Sequence, residues 1–378
     1  MHQLCLVSEQ PMPNFLAAIE PSLGVNRVTL AVTGKMEDRA TWLEEALHRH
    51  QIETDRLPIV IHTDFEGMWT TFAEWAEAHK GAVLNVTGGT KLMAIAAQDA
   101  FRSAGAPVFY VDLDTGRGIW IEGAVDEKAK TFQPSGRPKV QTAFSLNGFQ
   151  VLTHAENYTA DKGWLGFLDA MEARFDEWEP LLGTLNYRAE EAKKKTLWFG
   201  PLGGLPKGWD GFQAALEEAG LMGYRGVGVY FTSEEALKFC QGGWLEHYTF
   251  RILRQRFGLK QSYAWMNVEV LKEIRENGKV KKAKQELDNV AIVNGNLSLV
   301  ECKTANLQDE KGDGMSRADA AVFKIAELTR TYGLSARGFV VSARKVREED
   351  HDRAKVFGVR VLDNFKTLEQ DLRQALRL

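Results

Sequence analysis

The stretch from Glu286 to Thr304 constrains this chain more than any other. Glu286-Leu287-Asp288-Asn289-Val290 and Leu297-Ser298-Leu299-Val300-Glu301-Cys302-Lys303-Thr304 flank Asn294-Gly295-Asn296, a short turn signal, and the whole predicts a β-hairpin. Side chains alternate along a strand, so Glu301 and Lys303 share one face. Pairing across the turn brings Asp288 close to Glu301. Two carboxylates with an ammonium beside them make an oxygen site for a hard divalent ion. Charges on such apolar strands are costly unless they are employed. A bound Mg2+ or Mn2+ lowers the pKa of water and stabilises charge on a phosphate, while Lys303 orients the nucleophile or neutralises growing negative charge. The chemistry indicated is phosphodiester cleavage.

The Asp-x12-Glu-x-Lys arrangement resembles the PD-(D/E)xK nuclease superfamily. That resemblance implies a restriction-endonuclease-like α/β/α domain at the C-terminal end. Glu246, in Gly242-Gly243-Trp244-Leu245-Glu246-His247-Tyr248, opens an amphipathic helix where the superfamily often places another acid. The implied catalytic set is Glu246, Asp288, Glu301 and Lys303, with Glu246, Asp288 and Glu301 as metal ligands. The superfamily's usual proline is missing, and Glu286 stands nearby as a possible further acid.

The chain has 378 residues and 44% hydrophobic content, enough for two domains with proper cores. A net charge of −4 excludes a general nucleic-acid coat, so any such contact is local. Lys279-Val280-Lys281-Lys282-Ala283-Lys284 is the candidate contact, with a solvated hairpin tip as the alternative. Cys5, Cys240 and Cys302 are scattered without metal spacing, which points to neither a disulfide framework nor a zinc site. No signal-peptide pattern opens the sequence and no run approaches membrane-spanning length, so the cytoplasm is the expected compartment.

The first part alternates strands and helices. Strands are expected at 3–8, 27–33, 57–61, 82–86, 107–112 and 118–122, the last two around an Asp114-Thr115-Gly116 turn. Helices are expected at 14–20, at 38–50 with Asp38 at its start, at 65–78 and from Lys91 through Arg102. Met68, Trp69, Phe72 and Trp75 form a stripe that reads as core. Strand 82–86 runs into Thr87-Gly88-Gly89-Thr90-Lys91 and a helix, a loop whose amides can approach an anion at the helix N-terminus. Its spacing matches neither a Walker A loop nor Gly-x-Gly-x-x-Gly, which disfavours ATP hydrolysis and NAD binding. Residues 1–125 thus read as a Rossmann-like doubly wound α/β unit that binds ligand beyond the carboxyl ends of its strands.

Leu84-Asn85-Val86-Thr87-Gly88-Gly89-Thr90-Lys91-Leu92-Met93 is similar to the signature of CRISPR-associated Rossmann-fold sensor domains, the CARF domains. With a PD-(D/E)xK module behind it, the chain resembles the CARF nucleases that act as ancillary effectors of type III CRISPR antiviral defence. The resemblance implies a homodimer that binds cyclic oligoadenylate, most often cyclic tetra-adenylate, across its two-fold axis and then cuts nucleic acid with a metal. Gly88, Gly89, Thr90 and Lys91 are the expected ligand-binding residues. Ser8 and Thr33 join them by position, in the 8–14 loop and the 33–35 turn, and Asp112 ends a later strand at that edge. Two other functions stay open: a ring nuclease that opens the cyclic nucleotide by 2′-hydroxyl attack, and a non-catalytic ligand-binding regulator.

The division expected is a sensor over 1–130, a linker with a small helical, winged-helix-like insertion over 131–240, and a nuclease domain over 241–378. Within the insertion, 141–152 reads as a strand pair broken at Asn147-Gly148. Helices are expected at 164–179 and 186–195, and Asp210 is the expected N-cap of a helix over 211–218. Beyond the hairpin, Gly312-Asp313-Gly314 reads as a mobile loop, and 317–331 as a helix with Ala321, Ile325 and Leu328 on its apolar side. In similar nucleases that helix flanks the metal site, so Lys324 contacts a phosphate or is simply solvated. Strands at 337–342 and 359–362 and a closing helix from 366 complete the domain, with His351 on its surface.

Overall fold

The computed structural model describes residues 1–378 except 114, 124–129, 156–161, 195–196, 202, 227, 277–278, 306, 308–315 and 334–335. The expected Gly312-Asp313-Gly314 loop lies outside the described residues. The N-terminal unit comprises β1 (His2–Leu6), α1 (Met12–Ala18), β2 (Arg27–Thr33), α2 (Glu37–His48), β3 (Glu53–Ile59), α3 (Phe65–Ala78), β4 (Val83–Asn85), α4 (Lys91–Ser103), β5 (Val108–Asp112), β6 (Arg117–Glu122) and β7 (Thr131–Phe132). They form one sheet in the order β3-β2-β1-β4-β5-β6-β7. The first five strands are parallel and the last two antiparallel. The apolar β1 is buried between helical layers, which is why it reads as a continuous hydrophobic run. Strand order reverses between β1 and β4, and an open sheet of this kind binds ligands at such a switch point. The aromatic stripe of α3 is core, with Met68, Phe72 and Trp75 all buried.

The chain continues through α5 (Val140–Ser145), β8 (Phe149–Ala155), α6 (Lys162–Ala173), α7 (Phe175–Lys194), β9 (Trp198–Gly200), α8 (Trp209–Glu218), β10 (Met222–Arg225), β11 (Gly228–Phe231) and α9 (Glu234–Lys238). Two local expectations are corrected here. The segment read as a strand pair begins as helix α5, because Val140, Ala143 and Phe144 are buried at helical spacing. Gly208, not Asp210, holds the N-cap position of α8, since the helix starts early enough to bury Trp209.

The C-terminal unit contains α10 (Trp244–Arg251), β12 (Ala264–Glu276), β13 (Lys279–Val293), β14 (Asn296–Lys303), α11 (Arg317–Thr331), β15 (Ala336–Ser342), α12 (Glu348–Val356), β16 (Val359–Leu362) and α13 (Leu368–Leu376). Its sheet runs β16-β15-β14-β13-β12-β8, so its edge strand comes from the middle of the chain. Leu299 and Val340 share a core with Ile325 of α11, while Val300 and Phe339 share another with Leu245 of α10 and Leu372 of α13. Helices thus cover both faces, an α/β/α sandwich. One core joins Cys5, Phe15 and Val28 of the N-terminal unit to Val290, Leu299 and Ile325 of the C-terminal one. The two units are therefore packed together rather than merely tethered.

Candidate functional site

The hairpin forms as its sequence dictates. Val293 pairs with Asn296 and Asn289 with Val300, and the turn residues Asn294 and Gly295 have φ of 50° and 76°. Positive φ at both central positions is what a tight two-residue hairpin turn requires, and Asn-Gly supplies it cheaply. This register sets Asp288 beside Glu301. Asp288 Oδ2 accepts the Cys302 backbone N–H at 2.7 Å, which locks the acid onto the neighbouring strand.

Glu301 is only 2% exposed. Its Oε1 accepts from Lys303 Nζ at 2.7 Å, and Lys324 Nζ of α11 lies 2.9 Å from Oε1 and 2.6 Å from Oε2. Lys324 is thus partly solvated and at the same time clasps Glu301. Local sequence gave no signal for this, because α11 is brought over β14 only by long-range packing.

Glu246 enters from α10. That helix starts past a kink at Gly242 (φ 133°), where a Cβ would lie 2.5 Å from Thr304 Oγ1. The glycine therefore lets α10 pass close to the end of β14. Asn289 Nδ2 donates to the Glu246 carbonyl at 3.1 Å and ties helix to hairpin. Burial, then the Asp288 charge, pushes the Glu246 carboxyl up to about 8, with Lys303 opposing. Burial, then Glu301, raises Asp288 to about 6. Burial disfavours charge on Lys303, but Glu301 and Asp288 outweigh it and raise its pKa. The four expected catalytic residues therefore stand within electrostatic reach of one another. No group of three or more His, Cys, Asp or Glu side chains among the described residues has metal-holding geometry. In this arrangement two ammonium groups engage Glu301 and a backbone N–H engages Asp288. The donor set still fits a hard cation: oxygen only, largely buried and mutually repelling.

A cleft of about 780 Å³ opens beside these groups, with Glu246, Glu286, Cys302, Lys303 and Thr304 in its lining. Glu286, the alternative acid, is exposed at its rim and also raises the Glu246 pKa. The 279–284 run opens β13 at the tip of the β12–β13 hairpin, with Lys282 and Lys284 exposed and paired with Glu273 and Glu269 across the ladder, which matches the alternative of a solvated hairpin tip. His351 bonds Asp363 at 3.1 Å, on a different part of the domain from the hairpin acids.

A second cavity, of about 450 Å³, lies beyond the carboxyl ends of β1–β4 and is lined by Ser8, Thr33, Lys35, His62, Gly89 and Thr90 among others. Two glycines are required beside it: a Cβ at Gly88 would strike the Leu6 carbonyl at 1.9 Å, and Gly89 has φ +74°. The Thr90 side chain caps α4 by accepting from Met93 N at 3.2 Å. Gly88 and Lys91 are not in the lining, and Lys91 is exposed as the first residue of α4. The lysine in the lining is Lys35, which the 33–35 turn had flagged by position; His62 carried no sequence signal. Asp112, paired with Thr115, also stands outside it.

One cavity lies at the switch point of the N-terminal sheet and a separate cleft opens beside the buried acids of the C-terminal unit, an arrangement of two sites on two domains. Comparison with known families makes that arrangement particular. Residues 3–132 match the Card1 CARF domain and residues 233–377 the Card1-like endonuclease domain. The chain thus carries a Card1-type CARF domain and a Card1-like endonuclease domain, and it is an endonuclease by that domain family.

Among solved structures, protein VC1899 from Vibrio cholerae superposes with a TM-score of 0.87 at 22% identity, covering 100% of this chain and 98% of that one. Can2 from Sulfobacillus thermosulfidooxidans, solved in complex with cyclic tetra-adenylate, gives 0.79 at 25% identity, covering 100% and 99%. A type III CRISPR defence DNA nuclease activated by cyclic oligoadenylate gives 0.56 at 20% identity, and this chain spans 52% of its length. No curated protein matches the chain in sequence.

Proposed function

We propose that this protein is a metal-dependent PD-(D/E)xK nuclease of type III CRISPR defence, switched on when a cyclic oligoadenylate, cyclic tetra-adenylate in particular, occupies the N-terminal cavity. The observation that carries the reading is the convergence of Glu246, Asp288, Glu301 and Lys303 beside one cleft, on a chain whose other end bears a separate ligand cavity. Glu246, Asp288 and Glu301 would hold Mg2+ or Mn2+, which when bound supplies Lewis acidity toward the scissile phosphate. Lys303 hydrogen-bonds and neutralises charge as it grows on the phosphate oxygens, and Lys324 fixes the Glu301 carboxylate in place.

In the sensor cavity the Gly88-Gly89 turn brings backbone amides to the N-terminus of α4, and Lys35 adds a cation against a ring phosphate. Ser8, Thr33 and Thr90 complete the polar lining, with Lys91 just outside it. A cyclic phosphate ring has matching halves, so two copies of this cavity facing across a two-fold axis suit it, which makes the working form a homodimer. Exposed Val60, Ile61, Leu92 and Ile95 supply apolar surface for that contact. No helix among the described residues is long and apolar enough to cross a membrane, in keeping with a cytoplasmic effector.

The test is cleavage of plasmid, single-stranded DNA and RNA, each with Mn2+ or Mg2+, with and without cyclic tetra-adenylate. Metal-dependent cutting that rises with the cyclic nucleotide and vanishes in Lys303→Ala is expected. Cutting by Lys303→Ala at the wild-type rate removes the hairpin from the mechanism.

A further inference from the structure

Part of the lining of the nuclease cleft comes from elements outside both family matches. Thr153 and Ala155 of β8 and Trp164 of α6 line the same cleft as Glu246 and Lys303, and all three precede residue 233, where the endonuclease match begins. Trp164 is half-buried. It packs on Phe239 with ring centroids 4.7 Å apart and meets His247, the neighbour of Glu246, edge-on at 5.5 Å. Its place beside Glu246 is therefore fixed by two rings rather than left to a mobile side chain.

Next to it the ladder is irregular. The β12–β8 register shifts between Met266 and Glu269, and Asn267 in that gap has φ 53°. A bulge of this kind re-aims a side chain out of the regular alternation. Asn267 is exposed and lines the cleft, and its side chain makes no hydrogen bond among the described residues. An amide there offers paired donor and acceptor atoms to a base edge.

The charge of the lining says what such groups are for. Glu235, Glu246 and Glu286 line the cleft together with Lys238 and Lys303, and Glu269 is paired with Lys284. A lining with no excess of positive charge gives a polynucleotide backbone little electrostatic grip of its own, so the bases have to contribute to affinity. We propose that Trp164 and Asn267 form a nucleobase subsite in which Trp164 stacks on an unpaired base beside the scissile phosphate and Asn267 reads its edge. The subsite takes single-stranded or locally unstacked nucleic acid. This inference rests on the nuclease reading above.

The test uses the full-length protein with cyclic tetra-adenylate. Binding of labelled single-stranded DNA and RNA is measured with Ca2+ in place of the catalytic ion, and cut sites are sequenced with Mn2+. Trp164→Ala should weaken binding about tenfold, and Trp164→Phe, which keeps a stacking face and the ring contacts, should restore most of it. Wild-type affinity should fall less than about tenfold between low and moderate salt, unlike a phosphate-gripping protein. Asn267→Ala should change the base distribution at cut sites. The subsite is overturned if Trp164→Ala binds as wild type, if Trp164→Phe fails to restore binding while melting as wild type, or if Asn267→Ala leaves the distribution unchanged. Full cutting by Lys303→Ala instead overturns the nuclease reading beneath it.

Discussion

Leu16 of α1 and Gly295 at the tip of the catalytic hairpin meet across the boundary between the two units: a Cβ at Gly295 would stand 3.7 Å from Leu16 Cδ1. Helix α1 follows directly from the segment that carries Ser8 and Glu9 into the sensor cavity. A ligand that moves that segment therefore bears on the hairpin that holds Glu301. Leu16→Ala should keep cyclic tetra-adenylate affinity within a few-fold yet reduce ligand-stimulated cutting about tenfold, through loss of differential contact between the two states. Because Leu→Ala in a core costs about 2–5 kcal/mol, melting temperature is recorded alongside. Equal loss of binding and cutting would remove α1 from the coupling.

Lys324 shares the Glu301 carboxylate with Lys303, and its ammonium competes there with any divalent ion. Lys324→Met should raise Mn2+ affinity in calorimetry while lowering metal-free stability by on the order of 1 kcal/mol, a modest figure because the Lys324 side chain is 42% exposed. If metal affinity and stability both stay at wild-type values, the clasp has no energetic role.

The raised carboxyl pKa values of Glu246 and Asp288, about 8 and about 6, mean that the folded protein keeps protons the unfolded chain has released. Their contribution to stability is full below the ordinary values of 4.5 and 3.8 and is lost as pH rises toward 8. Metal-free protein should therefore lose on the order of 5 kcal/mol between about pH 5 and 8, and Glu246→Gln should flatten the upper half of that slope. Denaturant melts at a series of pH values measure it, and an unchanged slope in Glu246→Gln would locate the titration elsewhere.

In the sensor cavity Lys35 lines the wall and Lys91 does not. Lys35→Ala should weaken cyclic tetra-adenylate binding about tenfold or more, the size of one lost charge-assisted contact, and Lys91→Ala by clearly less. Saturating ligand should restore part of the cutting in Lys35→Ala. The reverse ranking in a ligand titration would put the phosphate against the start of α4 rather than in the 33–35 turn.

What could be read from the sequence was local. Asn294-Gly295 fixes its own turn, alternation fixes which faces Glu301 and Lys303 share, and the spacing of Met68, Phe72 and Trp75 fixes a buried helix face, because each depends on residues a few positions apart. Gly88 and Gly89 were legible as a special turn for the same reason. Contacts between distant segments were not. Lys324 reaches Glu301 across 23 positions, β8 joins β12 from more than a hundred positions away, and α1 touches the hairpin turn. Sheet order and helix packing decide such contacts, and they follow from which apolar faces bury against one another. That packing put Lys35 in the lining of the N-terminal cavity, paired Lys282 and Lys284 with glutamates across the ladder, and set Trp164 beside Glu246.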